Sequence, residues 1–137
     1  MLREIDVLLD DSTINEITGK ILGAAIEVHR VLGPGLLESV YCVCLRYELA
    51  ARGLRFTIQQ HIPITYKEVT LAASHRVDLI VEDLIVVEVK AVAALVPVNL
   101  AQALTYLRLT GCPAALLINF NVPRLMDGAR RVINCER

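Results

Sequence analysis

Hydrophobic and polar positions change period along this chain. From Ile14, apolar residues recur at Ile17, Ile21, Ala24, Ala25 and Val28, the spacing of one helix face, until Gly33-Pro34-Gly35 stops the run. Thr13 and Glu16 have the spacing of a capping box, which predicts a helix over about 14–31 with Thr13 as N-cap. Leu37, Val40, Tyr41, Cys44, Leu45 and Leu49 repeat the pattern ahead of Gly53, predicting a second helix over about 37–52. Beyond it the period falls to two. Phe56 and Ile58 alternate with polar residues, as do Ile62, Ile64 and Tyr66, while Pro63 marks an edge strand or a bulge. Leu71 begins a short partner strand, and segments 77–81 and 84–89 form a hairpin around Glu82-Asp83. The stretch LIVVEVKA is almost continuously apolar, as a central strand covered on both faces would be. A helix over about 98–109 has Pro97 near its start and Gly111 past its end. Segment 114–120 has strand length, and Ala129–Ile133 offers a last strand.

Helices first, then antiparallel hairpins, then a helix that crosses to a further strand predict a three-layer α/β/α fold with a central mixed sheet. At 137 residues the expectation is a single domain over the whole chain, with 1–12 and 134–137 peripheral. With 55% apolar and 21% charged residues the chain can fill one core. Acids number 15 and bases 14, which excludes a polybasic nucleic-acid coat but leaves room for a local basic groove. Aromatic residues make up 4%, too few for a base-stacking platform. The uncharged apolar run 91–107 contains Pro97, Asn99 and Gln102 and falls short of a membrane span. Acids in MLREIDVLLDD do not fit a signal peptide, and Cys42, Cys44, Cys112 and Cys135 form no CxxC pair. The expectation is a cytoplasmic protein with no membrane partner; a homodimer stays open.

Chemistry concentrates where apolar logic fails. Glu88 and Lys90 leave the same face of the apolar strand, and two opposite charges there could simply pair. Asp78, on the preceding strand, alters that balance. A turn at Glu82-Asp83 pairs residues whose numbers sum to about 165 or 166, which brings Asp78 beside Glu88. Two adjacent carboxylates repel unless a proton or a cation lies between them, and hard ions such as Mg²⁺ or Mn²⁺ suit such oxygen ligands. His29, His61 and His75 read as surface or capping residues rather than ligands. Arg76, Arg108, Arg124, Arg130 and Arg131 are candidate phosphate contacts on what could equally be a solvated face.

Asp78 followed by Glu88-Val89-Lys90 resembles the PD-(D/E)xK nuclease superfamily. Gly35-Leu36-Leu37-Glu38-Ser39-Val40-Tyr41 is similar to the G-x-x-E-x-x-Y signature of a small bacterial branch of it, as are the surrounding GPGLLESVY and LLINFNVPRLMDGARRVIN. Gln102 and Tyr106 match the QxxxY motif of helicase-associated and exonuclease-like members. The resemblance spans about residues 13–134 and departs at Val77, where the superfamily's name has Pro. It implies a restriction-endonuclease-like core and metal-dependent phosphodiester hydrolysis on nucleic acid. Asp78 and Glu88 would hold Mg²⁺ or Mn²⁺ with the Val89 carbonyl, Glu38 would be a third acid facing the metal, and Lys90 would position the water. Tyr41 would pack in the core with its hydroxyl turned to the site. Gln102, Tyr106, Arg76 and Arg108 would contact substrate.

The small size and near-zero net charge favour an alternative, a module on the same fold that binds nucleic acid or a partner without cutting. A third reading, a small-molecule or metal-ion binding protein, lacks a recognisable apolar pocket in the sequence.

Overall fold

The computed structural model describes residues 11–135. Helix α1 spans Asp11–Leu32 and α2 spans Glu38–Ala51. Strands β1 (Phe56–Tyr66), β2 (Val69–Val81) and β3 (Ile85–Lys90) follow, then α3 (Pro97–Thr110), β4 (Ala114–Asn119), a 3₁₀ turn at Leu125–Gly128 and β5 (Ala129–Ile133). The sheet order is β1-β2-β3-β4-β5. Among the described strands only β3 and β4 pair in parallel, joined by the crossover helix α3.

Two cores lie on opposite faces of this mixed sheet. Helices α1 and α2 bury Ile21, Ala25, Tyr41, Leu45 and Leu49 against Leu79, Val87, Val89, Leu116 and Ile118. On the other face α3 buries Ala103, Tyr106 and Leu107 against Val77, Ile80, Val86 and Ala115. Ile85 to Val89 are all buried, as a central strand with a helical layer on each side requires. The predicted three-layer α/β/α architecture is therefore the one observed.

Several boundaries differ from expectation. Helix α1 begins by Asp11, so Thr13 lies within it rather than capping it. The short strand from Leu71 and the segment 77–81 are one strand of 13 residues. The polar stretch between them weakens the apolar signal, but pairing with β1 carries the strand through, with a register shift between Pro63 and Thr65. Strand β3 runs Ile85–Lys90, starting one residue after Leu84, and carries both Glu88 and Lys90 as expected.

Sharp turns fall where the sequence places them. Gly33, Gly53 and Gly111 follow the ends of α1, α2 and α3 at φ of 69°, 74° and 74°, the left-handed region that glycine enters freely. The β2–β3 turn closes with the Leu84 N–H donating to the Val81 carbonyl at 3.0 Å. Its central residues Glu82 and Asp83 have φ of 52° and 56°, as a type I′ hairpin turn demands.

Candidate active site

The hairpin turn fixes the register Val81↔Ile85, Ile80↔Val86 and Leu79↔Val87, and there the paired ladder ends. One step further, Asp78 and Glu88 replace main-chain pairing with side-chain bonds. The Asp78 N–H donates to Glu88 Oε1 at 3.1 Å, and the Val89 N–H donates to Asp78 Oδ2 at 2.9 Å. Each carboxylate thus satisfies a backbone donor of the other strand, and both are held at the point where β2 and β3 part. On the other side of Asp78 the β1–β2 pairs step from Ile58↔Leu79 to Gln60↔Val77, and the intervening Gln59 has φ of 47°.

Glu88 is 5% exposed. Burial, reinforced by the Asp78 charge, pushes its carboxyl up to about 7. Burial also raises Asp78, against the lowering effects of the Val89 N–H, Lys90 and Arg76. Lys90 is half-buried, and its charge favours the ionised forms of Asp78, Glu88 and Glu38. Among the described residues neither Asp78 nor Glu88 forms an ion pair. Two half-compensated carboxylates at one point have the donor chemistry of a hard divalent cation site, so the residues present fit such an ion.

Other predicted positions fall unevenly. Glu38, the first residue of α2, is largely exposed, and the partial burial of its carboxyl together with the Asp78 charge raises it against the pull of Lys90. It does not make a third close acid: among the described residues no three His, Cys, Asp or Glu side chains group as metal ligands. Its place at the helix start keeps it at the rim rather than between the strands. Tyr41 is fully buried and stacks on Phe120 at 4.5 Å, but its hydroxyl turns away from the expected direction. It donates to the Gly33 carbonyl at 2.6 Å and accepts the Leu36 N–H at 3.1 Å. The tyrosine clamps the Gly33–Pro34–Gly35 loop ahead of α2, where Gly35 takes φ of 98°. The glycine and tyrosine of the G-x-x-E-x-x-Y stretch therefore act together to set the start of the helix that carries Glu38.

Tyr106 reaches the site from the α3 layer. Burial and the charges of Glu88 and Asp78 push its hydroxyl up to about 12, and its ring meets His75 edge-on at 5.7 Å. Gln102 lies one turn before it, half-buried. Arg76 is exposed and acts on Asp78 through space. Arg108 is also exposed and donates to Thr105 Oγ1 at 3.2 Å on its own helix. Arg131 bonds to Asn15 of α1, and Arg130 donates to the Ala129 carbonyl at 2.9 Å. His29 donates from Nε2 to the Val122 carbonyl at 2.8 Å, tying α1 to the loop after β4.

Sequence reasoning missed two residues. Asn119, the register partner of Lys90, is 2% exposed. Its Oδ1 accepts the Val92 N–H at 3.0 Å and its Nδ2 donates to the Val92 carbonyl at 3.0 Å, which fixes the chain just after Lys90. An amide ending an apolar strand was the available signal. The second is Arg46 on α2, one turn beyond Cys42 and two beyond Glu38; the i, i+4, i+8 spacing puts all three on one helix face. Burial and the nearby charges of Asp78 and Glu38 push the Cys42 thiol up to about 12, which favours its protonated form near neutral pH.

A family model described as the PD-(D/E)XK nuclease superfamily matches residues 15–132. Comparison with curated proteins and with solved structures gives no match. No helix among the described residues is long and apolar enough to cross a membrane.

Proposed function

Because the chain belongs to the PD-(D/E)XK nuclease superfamily, we propose that it is a divalent-metal-dependent phosphodiesterase of the GxxExxY branch, acting on nucleic acid. The observation that carries this reading is the reciprocal capping of Asp78 and Glu88 where β2 and β3 part, with Lys90 two residues on. Asp78 and Glu88 would hold Mg²⁺ or Mn²⁺, with the Val89 carbonyl and waters as further ligands and Glu38 acting from the rim. A bound divalent ion would polarise the phosphate and make a water nucleophilic near neutral pH. The Lys90 ammonium would orient the attacking water and offset charge that grows on the phosphate in the transition state. Tyr106 and Gln102 would meet the substrate from α3, and Arg76 and Arg108 would give solvated phosphate contacts. All four cysteines are free, in keeping with a cytoplasmic protein.

One observation favours the non-cleaving alternative, the absence of a third close acid among the described residues. A cleavage assay separates the two. Single- and double-stranded DNA and RNA are incubated with the protein in Mg²⁺, in Mn²⁺ and in chelator. The proposal predicts metal-dependent cleavage that Lys90→Ala lowers about a hundredfold or more, the scale of one lost electrostatic donor. Binding of these substrates without cleavage in either metal would establish the alternative.

A further inference from the structure

Beside the paired carboxylates lies a second feature that the mechanism above leaves unused. A cleft between α2 and the β1–β2 ribbon is lined by Cys42, Arg46, Ile58, Gln59, Asp78 and Leu79. It adjoins the site through Asp78, which faces both. Arg46 is the only arginine among the described residues that is half-buried; the others are exposed. Exposed Arg30, Arg52 and Arg55 pair with Glu27, Glu48 and Glu82. Arg46 makes no such pair, nor a hydrogen bond, among the described residues. It is not a counter-ion of Asp78 either, since the cations that lower that carboxyl are Lys90 and Arg76. A partly desolvated guanidinium with five unused donors, in a cleft beside two carboxylates, lacks the anion that its geometry suits.

Gln59 forms the opposite wall. A left-handed backbone is costly for glutamine and interrupts the β1–β2 pairing beside Asp78. Backbone strain of this kind persists where the surroundings impose it and clusters at ligand-binding positions. Here it sets Gln59 in the lining of the cleft that Arg46 also lines.

We propose that this cleft is a subsite for a backbone phosphate of the nucleic-acid strand, next to the phosphodiester presented to Asp78 and Glu88, with Arg46 holding the phosphate in a bidentate grip and Gln59 adding a hydrogen bond. The inference rests on the nuclease reading and deepens it. A phosphate held one step from the reacting one would fix the strand's position relative to Lys90. The cleft thus adds a half-buried grip to the solvated contacts of Arg76 and Arg108.

The test uses the full chain and short fluorescein-labelled DNA and RNA oligonucleotides of mixed sequence. Binding is followed by fluorescence anisotropy over a range of KCl, and cleavage kinetics and melting temperature are measured on the same variants. Arg46→Ala is expected to weaken binding about tenfold or more and to lower the slope of log affinity against log salt by about one. Arg46→Lys should keep the slope and still bind more weakly, because an ammonium cannot reproduce the fork. The loss should fall on KM more than on kcat, with the melting temperature unchanged. Gln59→Gly, which relieves the left-handed backbone, should weaken binding less and not lower the melting temperature. Wild-type binding with Arg46→Ala equal to it in affinity and salt slope would overturn the subsite and leave the nuclease reading standing. If Arg46→Ala unfolds, full affinity and slope in Arg46→Gln would overturn it equally. A wild-type protein that neither binds nor cuts any of these oligonucleotides would overturn both.

Discussion

Replacing Glu88 by Gln removes one charge from the carboxylate pair while keeping an oxygen that can accept the Asp78 N–H. Its effect on the metal-free protein follows from the raised carboxyl. Folded Glu88 holds its proton up to about pH 7, whereas the unfolded chain releases it near 4.5. Between those values the folded state binds more protons, so stability falls as pH rises from 4.5 and the full penalty applies above 7. At about 1.36 kcal/mol per tenfold, the gap amounts to about 3 kcal/mol. Glu88→Gln should therefore match the wild type near pH 4.5 and gain stability progressively, reaching about 3 kcal/mol above pH 7. For a domain of this size that is roughly 10 °C in melting temperature. The assay is urea denaturation of both proteins in chelator across this pH range, read as the difference between them so that other titrating groups cancel. A difference that is flat with pH, or a variant less stable than the wild type above pH 7, would refute the reasoning and make Glu88 a structural partner rather than a strained carboxylate.

Tyr41→Phe keeps the stack on Phe120 but strands the Leu36 N–H and the Gly33 carbonyl, and should cost about 1–3 kcal/mol in urea denaturation. Gly128→Ala would place a Cβ 2.1 Å from the Asn119 carbonyl oxygen, so the backbone must shift; the expected loss is about 2–3 kcal/mol by the same measurement. Asn119→Ala strands the Val92 N–H, while the Val92 carbonyl keeps the Asn121 amide as a donor at 3.3 Å, and should speed hydrogen exchange at the Val92 amide more than at the β3 and β4 ladder amides.

The hairpin that makes the candidate site was legible because its logic is local. A turn at Glu82-Asp83 and a period of two fix which residues meet, and the observed pairs sum to 166, the register that brings Asp78 beside Glu88. The crossover helix and the buried central strand followed from local pattern, Pro97 and Gly111 bounding the one and an almost continuous apolar run marking the other. What depends on distances between layers was not legible. Helical spacing puts Tyr41 in the core but is silent on the loop that folds back over its hydroxyl. Spacing likewise puts Glu38 at the start of α2 without saying that it stays at the rim. Gln59 carries no sequence mark of its left-handed backbone, since a φ of 47° is not one that glutamine favours. Arg46 was one basic residue among eleven arginines until the fold left it half-buried without a partner.

The central claim is that Asp78 and Glu88 together hold a divalent ion, and calorimetric titration of the purified chain with Mn²⁺ tests it most directly. The wild type should bind the ion and gain about 2.7 kcal/mol of stability at a hundred times the dissociation constant. The Asp78→Asn, Glu88→Gln double variant should remain folded and lose both the binding heat and the stabilisation. Metal binding and stabilisation undiminished in that variant would contradict the claim and place the ion elsewhere.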